Sequence, residues 1–343
     1  MAKLPDDREP NTIGDQIRDR VYSAWEANAG PEYYSLGANA SDLNIECIRA
    51  KYYDIRWVNK LEKKDGRILR LLDTGKREED RIADDLRRAG IEVWTVASDG
   101  RQFPARLLGG WVRGKLDLVA RGFDHAPDQP FVVEAKSHNA KNFNKLEKYG
   151  VRKAKPEHEL QLRSYMRAYS MPGIYAAVCK DDDRVYYEVL GDDNSVLETA
   201  LSRVRAAIVA FEPPAKLNEN PDDKGAFLCK FCRSLDICHK GEMPAGRSCR
   251  SCAHSTFRID ENAQLPTVEC TKFMKPLTID EQRAGCEAHL YDPNLIPHAN
   301  AKYREDSETM EYTLADGRIG IDGVNVKANP GLYFPEDPNA CPF

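Results

Sequence analysis

No run of apolar residues in this 343-residue chain approaches the roughly 20 needed to cross a bilayer. The opening stretch MAKLPDDREPNTIGDQ also lacks the apolar core of a signal peptide, so the sequence predicts a cytoplasmic protein with no membrane partner. Internal repeats and low-complexity tracts are missing, which argues against a solenoid or a disordered array. No G-x-x-x-x-G-K-[ST] phosphate loop occurs, so no nucleotide-driven motor of that type is encoded. A positive charge excess is absent too: the formal net charge is -5, and contact with a polyanion would need a local patch.

Cysteine is the residue in surplus. Ten of them in a chain read as cytoplasmic favour metal ligation over a disulfide framework, because a reducing compartment keeps thiols free. Eight divide into two sets of four, while Cys179 in the apolar run GIYAAVCK and Cys341 near the end read as structural or incidental. Cys229, Cys232 and Cys238 form the compact segment CKFCRSLDIC, which needs one further ligand from elsewhere. The second set opens with Cys249 and Cys252 in SCRSCAH, a zinc knuckle completed by Cys270 and Cys286, with His289 or His254 as alternatives for one thiolate.

Periodicity divides the chain into five parts. Residues 1–75 read as a helical lead-in, with amphipathic stretches IGDQIRDRVYSAWEA and SDLNIECIRAKYYDIRW. Residues 76–213 read as an α/β core. It opens with the helix KREEDRIADDLRRAG from Lys76, followed by strands in IEVWTVA, VRGKLDLVARG and FVVEAKS. After a basic loop come a helix from Pro156, two strands in GIYAAVCK and RVYYEVL, and a closing helix from about Ser195 to Phe211. Residues 214–240 hold a Pro-, Asp- and Asn-rich linker and the first cysteine segment. Residues 241–292 form a zinc-ribbon-like module, and 293–343 a tail with a hairpin turning at Asp316-Gly317.

Chemistry concentrates in the core. Asp117 in one strand and Glu134 with Lys136 in the next would meet if the two strands pair, bringing two carboxylates and an amine to one sheet edge. Glu134 and Lys136 are two apart and share a face. A carboxylate within FVVEAK is costly to bury without a partner, although an exposed strand face would explain it equally well by periodicity. Glu79 ends the apolar stripe of Ala83, Leu86 and Gly90, whereas Glu78 and Asp80 fall on the solvent side. Gln161 and Tyr165 share a helical face with His158, which reads as exposed or satisfied, while Leu162, Met166 and Tyr169 turn toward the sheet. Between Lys136 and Arg167, Lys141, Lys145, Lys148, Arg152, Lys153, Lys155 and Arg163 outnumber Glu147, Glu157 and Glu159, making this the candidate polyanion patch.

The series Gly75 to Glu79, Gly114 to Asp117, Glu134 to Lys136 and Gln161 to Tyr165 resembles the PD-(D/E)XK nucleases. Its nearest branch looks like the RecB-like exonucleases, including CRISPR-associated members and phage proteins, over roughly residues 40–238. The resemblance implies a restriction-endonuclease-like mixed sheet flanked by helices and Mg²⁺ or Mn²⁺ on Asp117 and Glu134. It implies Lys136 at the attacking water, with Gln161 and Tyr165 at the phosphate. Glu79 stands where many relatives carry a His, which bears on the number of metal ions. Cys47 resembles the upstream cysteine of iron-sulfur exonucleases, implying a 4Fe-4S cluster on Cys47, Cys229, Cys232 and Cys238, a set that zinc would also suit.

The expected function is thus metal-dependent DNA hydrolysis, exonucleolytic by resemblance, with any unwinding supplied by a helicase or recombinase partner. The alternatives are a zinc-containing nucleic-acid-binding protein without turnover and a site-specific endonuclease.

Overall fold

The computed structural model describes residues 13–296, 300–314, 316–323 and 332–333; Cys341 and part of the predicted tail lie outside them. Helix α1 (Ile13–Ala27) is followed by the short strand β1 (Ala38–Asn39), then α2 (Ile48–Ile55) and α3 (Gly66–Arg88). Helix α2 is shorter than the predicted SDLNIECIRAKYYDIRW segment, because Cys47 acts as its N-cap, its Sγ accepting from the Ala50 amide. Helix α3 begins ten residues before Lys76. Asp65 caps it by accepting from Ile68 N at 2.7 Å, and the good helix formers of RILRLL carry it through Gly75.

The core then lays down β2 (Glu92–Trp94), β3 (Pro104–Leu107), β4 (Val112–Lys115), β5 (Leu118–Arg121) and β6 (Phe131–His138). The predicted strand VRGKLDLVARG is in fact two, β4 and β5, belonging to different sheets, with Leu116 and Asp117 at the crossing. The basic stretch predicted as a loop is helix α4 (Ala140–Ala154). Asn139 caps it, Phe143, Leu146 and Val151 are buried, and Gly150 breaks its regularity with φ 71°. Helix α5 (Pro156–Tyr169), β7 (Gly173–Cys179), β8 (Val185–Leu190) and α6 (Ser195–Val209) follow nearly as the periodicity predicts.

The principal sheet is mixed, in the order β2-β5-β6-β7-β8, with β6 and β7 parallel and the other neighbours antiparallel. All of β7 is buried, as expected of a central strand covered on both faces. Ile82, Ala83 and Leu86 of α3 cover Val133, Ala135 and Ile174 on one face. On the other, Leu162, Tyr165 and Met166 of α5 pack with Val132, Tyr175 and Phe143. A second sheet, β1-β4-β3, leans against α5.

Beyond α6 lie α7 (Phe227–Lys230), α8 (Leu235–Lys240), the sheet of β9 (Ser255–Arg258), β10 (Thr267–Cys270) and β11 (Lys275–Pro276), and α9 (Ile279–Ala284). Strands β12 (Asn300–Arg304), β13 (Thr309–Thr313) and β14 (Ile319–Gly323) close an antiparallel sheet, and β13 with β14 form the hairpin predicted around Asp316-Gly317. One apolar cluster joins Tyr52 and Ile55 of α2, Trp111, Leu201 and Val204 of α6, Val268 and Leu295, so residues distant in sequence share a core.

Two buried arginines tie these segments together. Arg56 lies over the Tyr52 ring and donates to the carbonyls of Ala207 and Ala210, closing the C-terminus of α6. Arg250, between Cys249 and Cys252, sits over the rings of Trp57 and Trp111 and donates to Leu36 O, Ile55 O and Gln282 Oε1. Burial lowers its pKa to about 9.

Candidate active site

The antiparallel pairing of β5 with β6, Leu118 opposite Val133, sets Asp117 beside the middle of β6. Its Oδ2 accepts from the Ala135 amide at 2.9 Å. Glu134 is fully buried. Lys136 Nζ is in ion-pair contact with Glu134 Oε1 and lies 3.8 Å from Asp117 Oδ2. Apart from that ammonium, neither Glu134 oxygen has a hydrogen-bond partner among the described residues. The three side chains that the strand pairing was expected to unite are therefore together.

Electrostatics follow from burial. Desolvation pushes the Glu134 carboxyl up to about 8, against the pull of Lys136 and with the help of Asp117. Burial also raises Asp117, opposed by Lys136 and by the Ala135 amide. The Lys136 ammonium feels burial first, but the two acids overcome it and hold it protonated.

Glu79 on α3 is half-buried and pairs with Lys76 at 3.1 Å. Burial raises its pKa first and the Asp117 charge next, while Lys136 opposes, which marks it as part of the same electrostatic group. Glu78 is not solvent-facing as expected: its Oε2 is buried, and Arg81 lies 3.7 Å away. The helical stripe is broad enough to carry both acids, and only Asp80 is well exposed.

Gln161 and Tyr165 are both buried, and Gln161 Nε2 donates to the Tyr165 hydroxyl at 3.1 Å. Gly114 explains itself here. A Cβ at that position would stand 2.6 Å from Tyr165 Cε1 and 2.8 Å from its hydroxyl, so the strand passes close to the ring only because the residue is glycine. Burial, then the Glu134 charge, raises the Tyr165 hydroxyl above its ordinary range.

Sequence reasoning undervalued one group. His138 Nε2 and His158 Nδ1 each lie 2.8 Å from the Tyr175 hydroxyl, with the two imidazoles stacked at 5.6 Å. Burial holds His138 at about 4 and His158 at about 3, with Lys136 and Lys155 adding to it, so both are neutral. The signal was present: the period of two that brings Lys136 to the side of Glu134 carries His138 there too, and Tyr175 is the register partner of Glu134. His158 is thus satisfied, as its place on the helix suggested.

The basic patch is thinner than its sequence. Arg163 is buried against Glu159 at 2.7 Å, and Arg152 pairs with Asp193, leaving Lys141, Lys145, Lys148 and Lys153 exposed on α4.

Cys47, Cys229, Cys232 and Cys238 line one small cavity of about 20 Å³, together with Tyr53 and Leu235. In the second set Cys249, Cys252 and Cys270 are buried and Cys286 is exposed. Burial, then Cys286 and Cys270, pushes the Cys249 thiol up to about 11, and burial pushes Cys252 to about 12. His289 is engaged elsewhere, its Nε2 3.3 Å from Ser251 Oγ and its ring edge-on to Tyr291. His254 faces Lys272 and Glu308. Among the described residues no three His, Cys, Asp or Glu side chains are spaced to hold a metal ion in this conformation, and the nine described cysteines are free thiols.

No protein-family model and no curated protein matches the chain. Among solved structures, that of SSO0001 is 14% identical with a TM-score of 0.32, covering 66% of this chain and 96% of that one. An alkaline exonuclease from Laribacter hongkongensis is 16% identical with a TM-score of 0.34, covering 54% of this chain and 90% of that one. Its complex with dAMP has a TM-score of 0.33 at the same identity and coverage.

Proposed function

We propose that this chain is a metal-dependent deoxyribonuclease of the PD-(D/E)XK type, acting from DNA ends. The observation that carries the reading is the buried convergence of Asp117, Glu134 and Lys136, in which Glu134 has no partner but the ammonium among the described residues. A fully buried carboxylate with the ammonium as its one partner among the described residues is expensive, and an ion-binding role accounts for it.

Asp117 and Glu134 offer the hard oxygen ligands that Mg²⁺ or Mn²⁺ takes, and Glu79, within the field of Asp117, is the third acid available. Bound there, the ion would polarise the phosphate and lower the pKa of a water. Lys136, held protonated between the acids, orients the attacking water by hydrogen bonding. Gln161 and Tyr165 present an amide and a hydroxyl to a non-bridging phosphate oxygen. In the reaction the water oxygen bonds to phosphorus, the bond to the leaving sugar oxygen breaks, and the water proton passes to solvent as that oxygen is protonated.

The cysteines belong to the same proposal. Cys47, Cys229, Cys232 and Cys238 are the ligand set for a 4Fe-4S cluster, or for zinc in its place, and the cavity they line supports that grouping. Cys249, Cys252, Cys270 and Cys286 are the set for Zn²⁺, supported by the mutual influence of their thiols. Burial raises the Cys232, Cys238, Cys249 and Cys252 thiols, so loading either site must release protons. A helicase or recombinase partner would supply unwinding.

The test is degradation of end-labelled linear and closed circular DNA by anaerobically purified wild type and Glu134→Ala, with Mg²⁺, Mn²⁺ or EDTA. Loss of linear DNA alone, requiring both metal and Glu134, is expected. Cleavage of circles would make it an endonuclease, and no cleavage by the folded, metal-loaded protein would refute the enzyme. Iron, sulfide and zinc content of the same preparation decides between cluster and zinc at the first cysteine set.

A further inference from the structure

A groove of about 950 Å³ opens beside Tyr165, walled by β3 and β4 on one side and by Asn39 to Ser41 on the other. Arg101, Arg106, Arg113 and Lys115 line it against the carboxylate of Asp99, which lies 4.0 Å from Arg101. Arg106 and Arg113 are direct register partners across the β3-β4 pair. Like charges set opposite each other in a sheet destabilise it unless something lies between them.

No carboxylate among the described residues does so. Arg106 Nη1 donates to Gln264 Oε1 at 2.8 Å, a neutral acceptor, and its Nε has no partner. Arg113 forms no ion pair among the described residues, and its Nη1 is buried and unpartnered. Burial, then the neighbouring Arg106, lowers the Arg113 pKa. The turn that joins β3 to β4 is braced from the far side. Trp111 Nε1 donates to Arg258 O at 2.7 Å, and Gly109 and Gly110 pack so tightly on the backbone of Asp260 and Gln264 that a Cβ at either would overlap it.

We propose that Arg106 and Arg113 form a phosphate-binding subsite that holds the sugar-phosphate backbone of the substrate strand next to the phosphodiester being cut. Guanidinium forks suit the oxygens of a phosphate, and the groove reaches Gly114 and the Tyr165 ring, whose hydroxyl feels the charges of Glu134 and Asp117. This assignment rests on the nuclease reading of those acids. It also gives the second cysteine module a task, since the β9-β10 loop that carries Asp260 and Gln264 supports the arginine pair from behind.

The test is binding without turnover. Full-length Glu134→Gln protein in EDTA is titrated with a fluorescent 20-nucleotide single-stranded DNA at several salt concentrations. Adding Arg113→Gln or Arg106→Gln should weaken binding roughly tenfold near 0.1 M salt and reduce the slope of log K against log salt by about 0.7 for each phosphate no longer neutralised. Arg113→Lys should retain the slope, and Arg88→Gln, at the exposed end of α3, should change neither quantity. If Arg113→Gln fails to fold, Arg106→Gln carries the test. A parent that binds while both glutamine variants match it overturns the subsite alone. A parent that binds no oligonucleotide overturns the nuclease reading along with it.

Discussion

Gly114→Ala is the sharpest probe of the site's packing. The added methyl would stand 2.6 Å from Tyr165 Cε1, 2.8 Å from the hydroxyl and 2.9 Å from Ala40 Cβ. Carbon atoms rest about 3.5–4.0 Å apart, so the ring must retreat by about 1 Å. It has little room: Tyr165 is 2% exposed, packs with Leu162 and Met166, and is held at its hydroxyl by Gln161. Overpacking of this kind costs about 1–3 kcal/mol. A displacement of that size in a positioning group can lower turnover by about 100-fold. Gly75→Ala supplies the contrast, because nothing lies within 4 Å of its Cβ in the interior of α3, and there alanine should stabilise by about 0.5–1 kcal/mol. Urea denaturation of both variants, with DNA cleavage assayed in parallel, measures the difference. On a Tyr165→Ala background the cost of Gly114→Ala should shrink. Equal stability of Gly114→Ala and wild type would refute the close approach of strand and ring.

The His138–Tyr175–His158 group should make the fold acid-sensitive. Both folded-state pKa values lie below the ordinary 6.5, at about 4 and about 3, so the stability they contribute is complete above pH 6.5 and is lost as pH falls toward 4. Each histidine accounts for at most about 1.4 kcal/mol per pH unit, and urea midpoints of His158→Asn between pH 7.5 and 5 should fall less steeply than those of wild type. Parallel slopes would remove the group from the explanation. Arg250→Met should cost about 3 kcal/mol by removing three charge-assisted hydrogen bonds beneath Trp57 and Trp111, and should expose Cys249 and Cys252 to thiol reagents. An unchanged denaturation midpoint would mean that the cysteine module is not anchored through this side chain.

Local patterns carried the sequence reading a long way. The alternation that joins Glu134 to Lys136, the pairing of the strand after Asp117 with β6, and the helix from Pro156 bearing Gln161 and Tyr165 all follow from periods of two and of 3.6 residues. The same rules mistook α4 for a loop, because its lysines and Gly150 obscure a stripe of only three buried residues, and they merged β4 with β5. A break between sheets leaves no mark on alternation when the chain stays extended through it.

The sequence alone thus determined which residue types could do chemistry and which neighbours along each element share a face, since those depend on backbone geometry within a few residues. Only the tertiary structure decided that Asp117 stands at the crossing of two sheets, that Gly114 admits the Tyr165 ring, and that Cys47 lines one cavity with cysteines nearly two hundred residues later. It alone set Arg106 and Arg113 in mutual opposition without an acid between them. Such relations are chosen by long-range pairing and burial across the whole chain, and no short window of sequence contains the partner that makes them favourable.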